Sequence, residues 1–213
     1  MIVYSHRRSG THLLIEHIYH CFGIKPKKFH LEPNEKQKNN NRVIYIVRDG
    51  RDVLNSCFHW WNDSGESRVC FIKDTFNQLS FSQYLRGVEI PTYREKRDFV
   101  GQPTNVHPIE MQTGLFRDPI QYWIDHITHG IYVKQYPWVR FENLVNNPER
   151  VMHVLSDVLN LKMARPPHRI DKLVGFHPRK GKIGDHKNLF TQDDLDYFEQ
   201  RAGDLMTKLG YES

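Results

Sequence analysis

Residues 42–47 read Arg-Val-Ile-Tyr-Ile-Val, an unbroken β-branched and aromatic run behind one arginine. A strand that is apolar on both faces has no side to show to water, so it belongs inside a sheet covered above and below. Helices give a parallel sheet that cover, and the chain supplies them. Ile2 to Tyr4 reads as a second buried strand and Trp138 to Phe141 as a third. Helical patterns alternate with them at Thr11 to Phe22, Gly50 to Trp61, Ser80 to Gly87, Asp118 to Gly130, 146–161 and from Gln192 onward. This alternation predicts an α/β fold of three layers, a central parallel sheet flanked by helices. A length of 213 residues suits one domain with a full core.

The helix ends carry their own signals. Gly23 suits a C-terminal cap, and Pro119 and Pro148 suit first helical positions behind Asp118 and Asn147. Thr191 followed by Asp194 suits an N-terminal cap. In 146–161 the spacing predicts that Val151, Val154, Leu155 and Val158 face inward. The stretch 27–31 is short and ambiguous, 36–41 reads as a polar loop, and 62–117 reads as a long insertion.

A formal charge of +5 suits an anionic ligand. The cations are dispersed rather than gathered in a nucleic-acid-binding arm, so their places matter more than their sum. Three cysteines without a C-x-x-C spacing argue against a disulfide framework or a cysteine zinc site and fit a reducing compartment. No apolar stretch approaches the roughly 18 residues of a membrane helix, and no leader precedes the first strand. A cytoplasmic protein without a membrane span is the expectation.

Three places concentrate the chemistry. Between the first strand and its helix stand Arg7, Arg8, Ser9, Gly10 and Thr11, a strand–turn–helix of the kind that cradles phosphate with backbone N–H groups. Arg48 ends the 42–47 strand, and Ser56 lies in the helix that follows. Ligands of open α/β sheets bind beyond the carboxyl ends of strands, so the turn and Arg48 are expected on one edge, facing a ligand with two anionic groups. The third place is 177–188, where Arg179, Lys180, Lys182 and Lys187 are interleaved with Gly181 and Gly184.

The order of "SHRRSGT", "KFHL", "YIVRDGRDVLNSCFHWW", "VRFENLVNNPERVMHVLSDVLNL" and "RKGKIGDHKNLFT" resembles the cytosolic branch of the sulfotransferases that use 3′-phosphoadenosine 5′-phosphosulfate (PAPS). The resemblance implies a P-loop-like sulfotransferase fold over residues 1–213. It does not account for the 62–117 insertion, in which the stretch from about Glu89 to Gln112 is expected to form a lid that shields the acceptor side from water. It implies that Arg7, Arg8, Ser9, Gly10, Thr11 and His12 hold the 5′-phosphosulfate, with Arg8 at the usual lysine position. It implies that Arg48, Ser56, Arg179, Lys180 and Gly181 hold the 3′-phosphate. His30 matches the base of a K-x-H pair with Lys28, and His30, Lys28 and Arg8 are the implied catalytic set. Transfer would be in-line, from PAPS to an acceptor hydroxyl or amine, leaving PAP and requiring no metal. The acceptor would be a small molecule, glycan or lipid rather than nucleic acid, and the oligomeric state stays open. Leu13 stands where that branch usually has a tryptophan near adenine, and Phe141 where it often has tyrosine.

Two other readings compete. A nucleotide or small-molecule kinase on a related P-loop-like fold would need a GK[ST] lysine, which is absent, and an acidic metal ligand, for which Asp49 is the candidate. A basic binding module would need aromatics among exposed cations. His126 and His129, one helical turn apart, lack a third ligand at a metal-binding spacing.

Overall fold

The structure, a computed structural model, describes residues 1–30, 42–63, 80–86, 119–170 and 182–212, with backbone alone for 60–63. The stretch 36–41, read above as a polar loop, most of the 62–117 insertion, Asp118 and residues 179–181 lie outside these residues. Strands β1 (Ile2–Tyr4), β2 (Lys27–Phe29), β3 (Val43–Val47) and β4 (Trp138–Arg140) form one sheet in the order β2-β1-β3-β4, every pair parallel. The doubly apolar run is therefore an inner strand, with Ile44, Tyr45, Ile46 and Val47 fully buried. Lys27 to Phe29, ambiguous by pattern, pairs as the edge strand beside β1.

The helices are α1 (Thr11–Phe22), α2 (Gly50–Asp63), α3 (Phe81–Leu85), α4 (Pro119–Thr128), α5 (Phe141–Asn146), α6 (Pro148–Leu159) and α7 (Gln192–Lys208). The chain divides into two compact units, Met1–Arg48 with Asp125–Ile183 and Asp49–Ile124 with Gly184–Ser213. In the first, Leu14, Ile18 and Cys21 of α1 pack with Val3, Ile44, Leu144, Met152 and Leu155 into one apolar core around the sheet. The second is centred on aromatic edges. Phe81 meets Phe58 and Phe190 at centroid distances of 5.3 and 4.7 Å, and Phe190 continues to Phe198. Ring pairs at such separations and tilts add attraction beyond area burial.

The caps fall as the residue types dictate. Asn147 accepts from the Arg150 amide, and Thr191 and Asp194 cap each other reciprocally. Three expectations are corrected. In α6 the inward residues are Val151, Met152, Leu155 and Leu159, while Val154 and Val158 are 50% and 57% exposed. The apolar pattern fits two overlapping stripes, and packing against α1 selects the one centred on Met152 and Leu155. Phe141 does not extend β4 but opens α5. Helix α4 does not stop at Gly130; it runs into a π-type turn at His129–Val133, closed by the Lys134 amide on the His129 carbonyl.

Candidate active site

The turn from β1 to α1 is built by backbone sterics. Arg8 has φ 67° and Gly10 φ 92°, both in the left-handed region. That conformation is uncommon for arginine and is the sort of turn in which amide N–H groups converge. Gly10 is required twice over, because a Cβ there would also run into the ring of Phe141. Helix α1 begins without a side-chain cap and without an acidic residue in its first turn. Its leading amides and the positive end of its dipole are thus left for an anion. The Ser9 hydroxyl is buried and finds no hydrogen-bond partner among the described residues, as expected of a group that awaits a ligand.

The neighbouring strand end brings the base candidate to this turn. The Ser5 amide donates to the Phe29 carbonyl (3.1 Å), which seats His30 just beyond β2. His30 Nδ1 lies 3.2 Å from the Ser5 carbonyl and 3.3 Å from its hydroxyl, and that hydroxyl is 2.6 Å from Thr11 Oγ1. A carbonyl can only accept, so Nδ1 carries the hydrogen and Nε2 is the basic nitrogen. Burial, then the Arg7 and Lys28 charges, push the His30 pKa down to about 3, so the ring is neutral near pH 7. Lys28 Nζ donates to His12 Nε2 (3.4 Å), and burial followed by the charges of Lys28 and Arg8 lowers His12 to about 4.

Arg48 ends β3 on the same edge. Its guanidinium donates to the carbonyls of Arg8 (3.1 Å) and Lys182 (2.8 Å) and lies 4.7 Å from the centroid of the Phe141 ring. One cation thus holds both the opening turn and the backbone at Lys182. The expectation that the turn and Arg48 share an edge holds, and β2 adds Lys28 and His30 to it.

The family model for the sulfotransferase domain matches residues 24–177. The chain belongs to the sulfotransferase family. Two solved structures share the sulfotransferase fold. Mouse sulfotransferase SULT7A1 complexed with PAP is 15% identical at a TM-score of 0.61, over 97% of this chain and 83% of that one. Retinol dehydratase in complex with androsterone and inactive cofactor PAP is 13% identical at a TM-score of 0.55, over 96% and 80%. No curated protein matches the sequence. The kinase reading gains no support, and Asp49, its candidate metal ligand, is engaged by the Arg51 guanidinium at 2.9 Å.

In this sulfotransferase the remaining expected residues fall in two groups. Ser56 is buried on α2 in the second unit. Arg179, Lys180 and Gly181 lie outside the described residues. Within the second unit Asp52 accepts from the Gly184 amide (2.8 Å), the His186 amide (2.9 Å) and His186 Nδ1 (2.8 Å), which ties Gly184 and His186 to α2. Sequence reasoning missed Ser5, Phe141 and Asp52. Ser5 carries a signal, a hydroxyl directly after a buried strand, whereas nothing local marks Phe141 as the ring beneath both Gly10 and Arg48. Among the described residues no group of three or more His, Cys, Asp or Glu side chains forms a metal site. No described helix is long and apolar enough to cross a membrane.

Proposed function

We propose that this sulfotransferase takes PAPS at the β1–α1 turn and passes its sulfuryl group in line to an acceptor hydroxyl or amine, with His30 as general base. The observation that carries the reading is the neutral His30 ring: Nδ1 is committed to the Ser5 carbonyl, and its Nε2 is the basic nitrogen at the edge where α1 begins, without a side-chain cap, just after Arg7 and Arg8. A Ser9 hydroxyl without a partner among the described residues and the left-handed turn fit a phosphosulfate. Arg7, Arg8, Ser9, Gly10, Thr11 and His12 would hold that group. His30 takes the proton of the acceptor, and Arg8 and Lys28 stabilise the charge that builds on the non-bridging and leaving oxygens. Arg48 and Ser56, with Arg179, Lys180 and Gly181, would hold the 3′-phosphate.

We read residues 1–213 as one sulfotransferase domain, since each compact unit is discontinuous and the family match runs through both. A hydroxylated small molecule is the acceptor class we favour over a glycan or lipid, because the retinol dehydratase structure holds androsterone. A cytoplasmic location agrees with Cys21 and Cys57 being buried thiols.

Thermal melts with PAP and with adenosine 5′-phosphate test the assignment. PAP should raise Tm through preferential binding to the native state, and the 5′-phosphate alone should raise it much less. Equal shifts would remove the 3′-phosphate site from the proposal. In parallel, His30→Ala should abolish transfer to a panel of phenols and alcohols while PAP affinity stays close to wild type.

A further inference from the structure

Behind His30 stands a second histidine that the reaction scheme leaves unused. His126, near the end of α4, is fully buried and stacked on Tyr4 with centroids 4.9 Å apart. Its Nε2 lies 3.2 Å from the His30 carbonyl, and its Nδ1 lies 2.6 Å from the Tyr45 hydroxyl. The carbonyl can only accept, so Nε2 carries the hydrogen, and Nδ1 must then accept from Tyr45. The donors run in one direction, from Tyr45 on β3 to His126, from His126 to the His30 carbonyl, and from His30 Nδ1–H to the Ser5 carbonyl on the far side of the residue. The π-type turn supplies the room, since Gly130 packs on the Tyr45 ring so closely that a Cβ would collide with it.

We propose that His126 is a positioning residue for sulfuryl transfer: with its tautomer set by Tyr45, it holds the His30 backbone so that the imidazole keeps one tautomer and one place. The inference rests on reading His30 as the base. In-line transfer needs the basic nitrogen in register with the acceptor oxygen, and a displacement of about 1 Å can cost on the order of a hundredfold in rate. Two fixed points, one on the carbonyl and one on Nδ1, are what a single residue beyond an edge strand needs to stay in register.

Long-range ¹⁵N–¹H spectra of histidine-labelled protein with PAP bound, together with turnover of PAPS on 4-nitrophenol as probe acceptor, test it. In the wild type His30 should show the Nδ1–H tautomer and His126 the Nε2–H tautomer. His126→Phe keeps a ring without the donor. It should shift His30 to a mixture of tautomers and lower kcat about tenfold or more, with the Kd for PAP within about twofold. His126→Gln, which restores an N–H near Nε2, should recover most of both. Tyr45→Phe should give a smaller loss in the same direction, and it decides alone if His126→Phe does not fold. An unchanged His30 pattern or unchanged kcat in these variants overturns the proposal, as does a loss of turnover that merely tracks a loss of PAP-binding sites. His30→Ala separates the two failures. If it keeps its turnover, the base reading falls although the His126 hydrogen bond persists in the spectra. If it is inactive while His126→Phe is normal, only the positioning role falls.

Discussion

A histidine held down at a pKa of about 3 is a poor acceptor for a hydroxyl proton, yet the proposed function asks His30 to take one. Part of the depression is burial, which a ligand does not relieve. The rest is the positive charge of Arg7 and Lys28 beside the ring. A phosphosulfate among those cations would offset their field and favour the imidazolium, so binding should move the His30 pKa upward, toward the usual histidine range. An NMR titration of the His30 ring with and without PAP measures this. A midpoint that does not move would place the anionic end of the nucleotide away from Arg7 and Lys28. The lysine and histidine of "KFHL" were singled out by the family resemblance. Ser5 offered only its hydroxyl as a signal, because the carbonyl that faces His30 Nδ1 is a group every residue has.

At the scale of elements, α6 shows how far periodicity reaches. Its length, its Asn147 cap and its Pro148 start follow from local rules, but its buried face was displaced by the packing of α1. Met152→Ala and Leu155→Ala each remove buried side chains from a packed core and should cost about 2–5 kcal/mol in urea unfolding. Val154→Gln and Val158→Gln change exposed positions and should stay within about 0.5 kcal/mol of wild type. The reverse ranking would restore the stripe read from the sequence. Strand β4 and α5 make the same point: "WVRF" has strand composition throughout, yet Phe141 begins a helix that brings its ring beneath Gly10 and Arg48.

At the scale of the molecule, buried neutral histidines couple stability to pH. Burial lowers His6, His12 and His17 to about 4, and His30 to about 3. Between these values and the ordinary 6.5 the unfolded chain binds more protons than the folded one, so stability increases with pH across that window. It is complete above about pH 6.5 and drains away as pH falls toward 4. His17 is a clean probe, being buried with an Nδ1 that finds no partner among the described residues. His17→Leu should flatten the loss of unfolding free energy between pH 6.5 and 4.5 by one proton's worth of slope, read from urea titrations at several pH values. Parallel profiles for the variant and wild type would show that His17 is not buried neutral.

What the sequence determined by itself is what depends on near neighbours. The run 42–47 can only be an inner strand, a glycine in a strand–turn–helix can only sit where the backbone needs it, and the order of cationic motifs marks a sulfotransferase. What tertiary structure decided is every feature in which distant segments meet. Phe141 closes on Gly10, Arg48 bridges the carbonyls of Arg8 and Lys182, and His126 reaches a carbonyl 96 residues away. Hydrogen bonds to backbone carbonyls and ring-to-backbone packing depend on distance and shape and only weakly on residue type, so they leave no pattern along the chain until the sheet has put its strand ends side by side.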